Sequence, residues 1–201
     1  MTYYERNLPH WLPERAEVFL TWRLYGSLPS EVVARLRAAE LTPGRQFARA
    51  EHLLEANPIG PLWLREEAVA ECVETAIIRG QDELGQYRIL AYVVMPNHVH
   101  LLIEPRAELR RITNGLKGVA AREANRILNR TGSRFWQDES FDHWVRDSVE
   151  RQRIIAYIEN NPVKARLARR PEDWPWSSAK SRIGRSSFGT AGALKGHSDE
   201  L

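Results

Sequence analysis

Cysteine is nearly absent from this chain: Cys72 is the one thiol among 201 residues. An internal disulfide and a Cys-rich zinc site are thereby excluded. Long apolar runs are missing as well. The longest, Ile89 to Met95, falls far short of the roughly 20 residues a membrane-spanning helix needs. The first residues include Glu5, Arg6, His10, Glu14 and Arg15, with no apolar stretch resembling a secretory signal. No internal repeat is visible. These absences predict a cytoplasmic protein with no membrane partner. A content of 43% hydrophobic and 27% charged residues argues against global disorder. The length favours one domain, with or without a terminal extension, and suffices for a full core.

The net charge of +3 conceals an asymmetry. Residues 1–105 hold 10 Lys/Arg and 14 Asp/Glu, whereas residues 106–185 hold 18 and 10. The last 16 residues hold one lysine and two acids. A basic second half suits a polyanionic partner, although a solvated helix surface gives the same pattern.

Glu17 to Leu24, rich in β-branched and aromatic residues, reads as a strand. Val32, Val33, Leu36 and Ala39 recur at helical spacing, and a second short helix is expected over Gln46 to Ala56. A longer helix is predicted from about Arg65 to Ile78. Tyr87 to Val94 and His98 to Glu104 read as strands around a tight Met95-Pro96-Asn97 turn. Leu109 to Leu128 is the next helix, and Phe135-Trp136 with Phe141 to Arg146 reads as extended. Asp147 and Glu150 form a capping box for a last helix, expected to end near Asn160 because Pro162 disfavours helix at Asn161. This order predicts an α+β fold: a ferredoxin-like, RRM-like antiparallel sheet with helices on one face, a helical insertion and a C-terminal extension.

Met95-Pro96-Asn97-His98-Val99-His100 carries the clearest chemistry. Strand side chains alternate, so His98 and His100 share a face about 6.5–7 Å apart along the strand, while Val99, Leu101 and Ile103 face the core. Two imidazoles so placed can chelate a divalent metal, though two half-buried structural histidines have the same pattern. His98-Val99-His100 followed by Glu104 also has the spacing of a cupin-type metal motif. Tyr92 and Arg111 occupy that motif's glycine positions, however, and the chain lacks the many short strands of a jelly roll. Tyr157 and Asn161 are four apart on the last helix, hence on one face, and both can address the histidine pair. A packing role is the commoner fate of a helical tyrosine.

Several segments are to be taken together. They include Arg6-Asn7-Leu8-Pro9-His10-Trp11, the Met95–His100 stretch, Leu116-Lys117-Gly118, Phe135-Trp136-Gln137 and Phe141-Asp142-His143-Trp144-Val145-Arg146-Asp147. Tyr157-Ile158-Glu159-Asn160-Asn161-Pro162-Val163-Lys164-Ala165 and Trp174-Pro175-Trp176-Ser177-Ser178-Ala179 follow. In this order they resemble the REP-associated tyrosine transposases, relatives of the insertion-sequence single-tyrosine transposases with an HUH motif. The resemblance covers roughly residues 7 to 180. It implies one domain over 7–180, with a helical insertion at 30–64 that matches no motif and a flexible tail at 181–201.

The resemblance further implies His98 and His100 as metal ligands, Asn161 as a third, amide-bearing ligand and Tyr157 as nucleophile. The cofactor would be a divalent metal, Mg²⁺ or Mn²⁺. The reaction would be transesterification on single-stranded or hairpin DNA, leaving a 5′-phosphotyrosine and a free 3′-OH. A monomer or homodimer, cytoplasmic and nucleoid-associated, is expected. Arg110, Arg111, Lys117, Arg122 and Arg126, then Lys164 and Arg166, are candidate phosphate contacts. Trp11, Trp174 and Trp176 are candidates for base stacking, while Trp174 and Trp176 around Pro175 also suit a hydrophobic clasp. The alternatives are a catalytically silent hairpin-binding protein of the same fold and, more remotely, a cupin-type metalloenzyme.

Overall fold

The computed structural model describes residues 16–39, 41–56 and 60–180. In chain order these form β1 (Glu17–Leu24), α1 (Ser30–Ala38), α2 (Pro43–Ala56), a 3-10 turn at Trp63–Arg65, α3 (Glu67–Asp82), β2 (Tyr87–Val94), β3 (His98–Pro105), α4 (Leu109–Ile127), β4 (Trp136–Val145) and α5 (Ser148–Lys164). The four strands make one antiparallel sheet in the order β2-β3-β1-β4. Strands β1 and β3 are therefore central, as the ferredoxin-like reading expects. Among the described residues, no helix is long and apolar enough to cross a membrane.

The helices lie on both faces of the sheet, not on one. Val99, Leu101 and Ile103 of β3 join Val18, Leu20 and Trp22 of β1 under α3 and α4. The alternate residues, Leu102 of β3 and Phe19 of β1, pack instead with Ile155 and Ile158 of α5. A sheet that is apolar on both faces must be covered on both, and β3 is buried without a break from His98 to Ile103. Alternation placed these residues correctly; the apolar stripe of α5 decided the second layer.

Helix α5 also runs past its expected end, with Pro162 inside it. Proline removes one helical N–H donor, but Asn161 and Pro162 are both buried and the packing holds the helix in register. At its start, Asp147 accepts from the amides of Val149 and Glu150, as expected of an N-cap. The reciprocal half of the box differs: Glu150 accepts from the amide of Arg146 and lies against His143 instead.

The Trp174–Ala179 segment closes the free edge of β2. Val94 N donates to Trp176 O at 2.9 Å, the Trp174 indole donates to Val94 O at 3.0 Å, and Ser177 bridges Val93. Trp176 packs on one layer of the core and Trp174 on the other, so this segment is a clasp. An edge strand covered in this way is protected from pairing with other chains.

Gly80 of α3 lies so close to the Tyr87 ring that a Cβ would overlap the phenol, whose hydroxyl donates to Ile77 O at 2.7 Å. Gly80→Ala is therefore expected to cost about 2 kcal/mol by overpacking. A lower urea midpoint at unchanged slope would register this.

Candidate active site

The alternation of β3 turns His98 and His100 toward α5, where they are 1% and 0% exposed. Their Nε2 atoms lie 3.1 Å apart. Each ring is oriented through its other nitrogen. Asn97 donates its amide to Leu54 O at 3.2 Å, which leaves Asn97 Oδ1 to accept from His98 Nδ1 at 2.7 Å. The Nδ1 atom of His98 thus carries the proton, and Nε2 presents its lone pair. Burial holds His98 neutral, its pKa lowered to about 4. Thr21, opposite His100 across the β1–β3 ladder, meets His100 Nδ1 at 2.8 Å.

Helix α5 brings Tyr157 and Asn161 to the same place. Asn161 Nδ2 is 3.2 Å from His100 Nε2, while its Oδ1 is buried with no hydrogen-bond partner. The Tyr157 ring stands edge-on to Phe19 and against His100, with centroids 6.1 and 5.3 Å away.

A fifth residue arrives from α2. Tyr157 Oη donates to Glu51 Oε2 at 2.6 Å. The same oxygen is 3.0 Å from His100 Nε2 and 3.8 Å from His98 Nε2. Burial alone would raise the Glu51 pKa. The neighbouring imidazoles of His100 and then His98, with hydrogen bonds from His100 and Tyr157, instead hold it down at about 2. Glu51 is therefore a buried carboxylate anion.

This arrangement fits a divalent cation. His98 Nε2, Glu51 Oε2 and Asn161 Nδ2 all converge on His100 Nε2 within 3.2 Å, yet an imidazole nitrogen completes only one hydrogen bond. Glu51, His98 and His100 offer ligand atoms that lie within 4.8 Å of one another. Two imidazole nitrogens and a carboxylate are a mixed N/O donor set of the kind such ions take, and the Asn161 amide adjoins it at His100.

His98, His100, Tyr157 and Asn161 thus come together as the motif spacing led one to expect. The expected basic residues divide. Arg110, Arg111, Lys117, Arg122 and Arg126 lie on α4, across the sheet from the histidines. Among them, Lys117 donates to Gln137 O and Asp138 O at 2.7 and 3.1 Å, and Arg126 pairs with Glu123 at 3.1 Å. Lys164 is exposed at the end of α5 with its ammonium 5.8 Å from the Tyr157 ring centroid, and Arg166 is exposed just beyond. Trp11, the Arg6–Trp11 motif and the 181–201 tail lie outside the described residues.

Glu51, Thr21 and the orienting role of Asn97 were not read from the sequence. One signal for Glu51 was present: it shares a helical stripe with Phe47 and Leu54, and an acid within an apolar stripe is seldom there for packing.

The fold and the site together define a class: a ferredoxin-like α+β protein with a buried His–Glu–His centre beside a helix-borne tyrosine. The family model described as "Transposase IS200 like" matches residues 64–161, from the turn before α3 to Asn161. Over this segment, just under half of its length, the chain is similar to this family of DNA transposition, and the similarity supports a transposase-like function. Among solved structures, a REP-associated tyrosine transposase bound to a REP hairpin is similar, at 17% identity and a TM-score of 0.55 over 100% of this chain and 99% of that one. This likeness bears on the fold. A putative transposase from Deinococcus radiodurans R1 aligns at 18% identity and a TM-score of 0.32, over 79% and 97%. No curated protein matches. The family match includes His98, His100, Tyr157 and Asn161 and leaves out α2 with Glu51.

Proposed function

We propose that this protein is a metal-dependent single-stranded DNA endonuclease and strand transferase that forms a covalent 5′-phosphotyrosine intermediate on DNA hairpins. One observation carries the reading: the Tyr157 hydroxyl and the His100 Nε2 atom both contact the same anionic oxygen of Glu51, at 2.6 and 3.0 Å. The nucleophile and the candidate metal ligands thus address a single point, as attack on a phosphodiester requires.

His98, His100 and Asn161 would hold Mg²⁺ or Mn²⁺ during the reaction, with Glu51 completing the donor set before DNA binds. Such an ion supplies Lewis-acid polarisation of a phosphoryl oxygen, a term of several kcal/mol. The chain's residues do the rest. Tyr157 Oη attacks phosphorus and gives up its proton to solvent, the bond from phosphorus to the 3′ oxygen breaks, and that oxygen takes up a proton from solvent and leaves as a 3′-OH. The tyrosyl ester keeps the phosphoryl group activated, so a second 3′-OH can reverse the step and join strands. Phe19 and His100 hold the Tyr157 ring for this attack. Lys164, beside the nucleophile, and Arg166, exposed just beyond α5, take the nearest phosphates, and the α4 cations contact DNA that wraps past the sheet. Residues 7–180 work as one domain, with segment 30–64 contributing Glu51.

The test is a hairpin substrate labelled at its 3′ end, incubated with the protein and Mn²⁺. Label is expected to stay on the protein after denaturation, since the tyrosine would hold the 5′ phosphate of the 3′ fragment. Cutting with no retained label would mean hydrolysis by water, and the nucleophile assignment would fall.

A further inference from the structure

We propose that α2 is a lid and that Glu51 occupies the place of the scissile phosphate until a DNA strand displaces it. The inference rests on the strand-cleavage reading above and adds to it a latent resting state. The first argument is spatial. Attack needs the phosphorus about 3–3.5 Å from the nucleophilic oxygen, and the Glu51 carboxylate, 2.6 Å from Tyr157 Oη, already fills that position. Its charge and contacts are those of a non-bridging phosphate oxygen: one anionic oxygen against the phenol and the His100 Nε2 atom. A strand phosphate and Glu51 cannot share the point, because two anions in contact repel.

The second argument is access. With α2 in place, His98, His100 and Asn161 are at most 1% exposed and Glu51 is 4% exposed. A polymer cannot bring a phosphate to atoms so enclosed unless one covering element moves. The sheet and α5 carry the histidines and the tyrosine, so moving them would dismantle the site. Helix α2 forms no part of the sheet and lies before the segment the transposase family model matches. Besides Glu51, Phe47 stacks on Phe141 at 4.1 Å and meets Phe19 and His100 edge-on at 5.7 and 6.4 Å, and Leu54 O accepts from Asn97. Releasing α2 breaks these contacts and leaves Asn97 Oδ1 on His98.

The lid predicts that only the open fraction binds DNA, so loosening α2 tightens apparent affinity. Hydrogen exchange would be followed on the wild-type full chain in EDTA, where strands bind uncut. A hairpin oligonucleotide with a single-stranded 5′ flank is expected to speed exchange of the α2 amides about tenfold or more, without speeding α5. Phe47→Ala should bind this oligonucleotide about 3- to 10-fold more tightly by fluorescence anisotropy, the opposite of what simple damage would do. Glu51→Gln, which keeps the shape and removes the charge, should also bind more tightly and serves if the Phe47 variant does not fold. Binding that leaves α2 protection unchanged overturns the lid alone, as does a folded variant that binds no more tightly. An absence of any strand binding by the wild type overturns the DNA reading as well, so the two failures are distinguishable.

Discussion

Tyr157→Phe is expected to slow strand cleavage by at least about 10³-fold, the scale of losing an essential nucleophile. The substitution deletes one oxygen and keeps the ring, so the edge-on contact with Phe19 and the contact with His100 persist. The lost donor leaves Glu51 with one hydrogen bond fewer, which should cost about 1–3 kcal/mol of stability. Circular dichroism and a thermal melt would confirm a folded variant with a slightly lower midpoint. Single-turnover cleavage would report the chemistry, and no label should remain on the denatured variant. A variant that cuts at the wild-type rate would show that Tyr157 is a packing residue.

His98→Ala and His100→Ala are expected to abolish cleavage, as chelation of the metal by EDTA should. Strand affinity should stay within about threefold, because phosphate contacts along the basic surface supply most of it. The two variants should differ in stability. His100 is the nearer partner of the buried Glu51 anion, at 3.0 Å against 3.8 Å for His98. Removing a hydrogen-bond partner of a buried anion costs about 1–3 kcal/mol, so His100→Ala should melt lower than His98→Ala. Mn²⁺ affinity, measured by calorimetry, should fall in both. Asn161→Ala should lose less, since an amide oxygen is the weakest donor of the set. Undiminished cleavage by the histidine variants, or by the wild type in EDTA, would remove the metal from the reaction.

The outcome at α5 shows where sequence reasoning reached its limit. The one-turn spacing of Tyr157 and Asn161 was visible, but Pro162 argued for a helix ending near Asn160. The preference of a pre-proline residue is a local bias, and burial of Asn161 and Pro162 outweighs it. Asn161 consequently stays on the tyrosine's helix face and reaches His100. The helix layers behaved similarly. Both faces of β3 were readable as apolar or histidine-bearing, yet which helix covers which face depended on how separate stripes pair.

Sequence alone determined the features that obey short periods. Alternation in β3 set His98 and His100 on one face, and the helical repeat set Tyr157 one turn from Asn161. The order of strands and helices defined the antiparallel α+β sheet. Tertiary structure alone decided what meets across long separations. Glu51 reaches Tyr157 over 106 positions and Thr21 reaches His100 over 79. It also sent the α4 arginines to the far side of the sheet, away from the nucleophile. The physical reason is range: backbone geometry couples residues two, three or four apart, whereas distant side chains meet only where apolar surfaces choose their partners and bury polar groups between them.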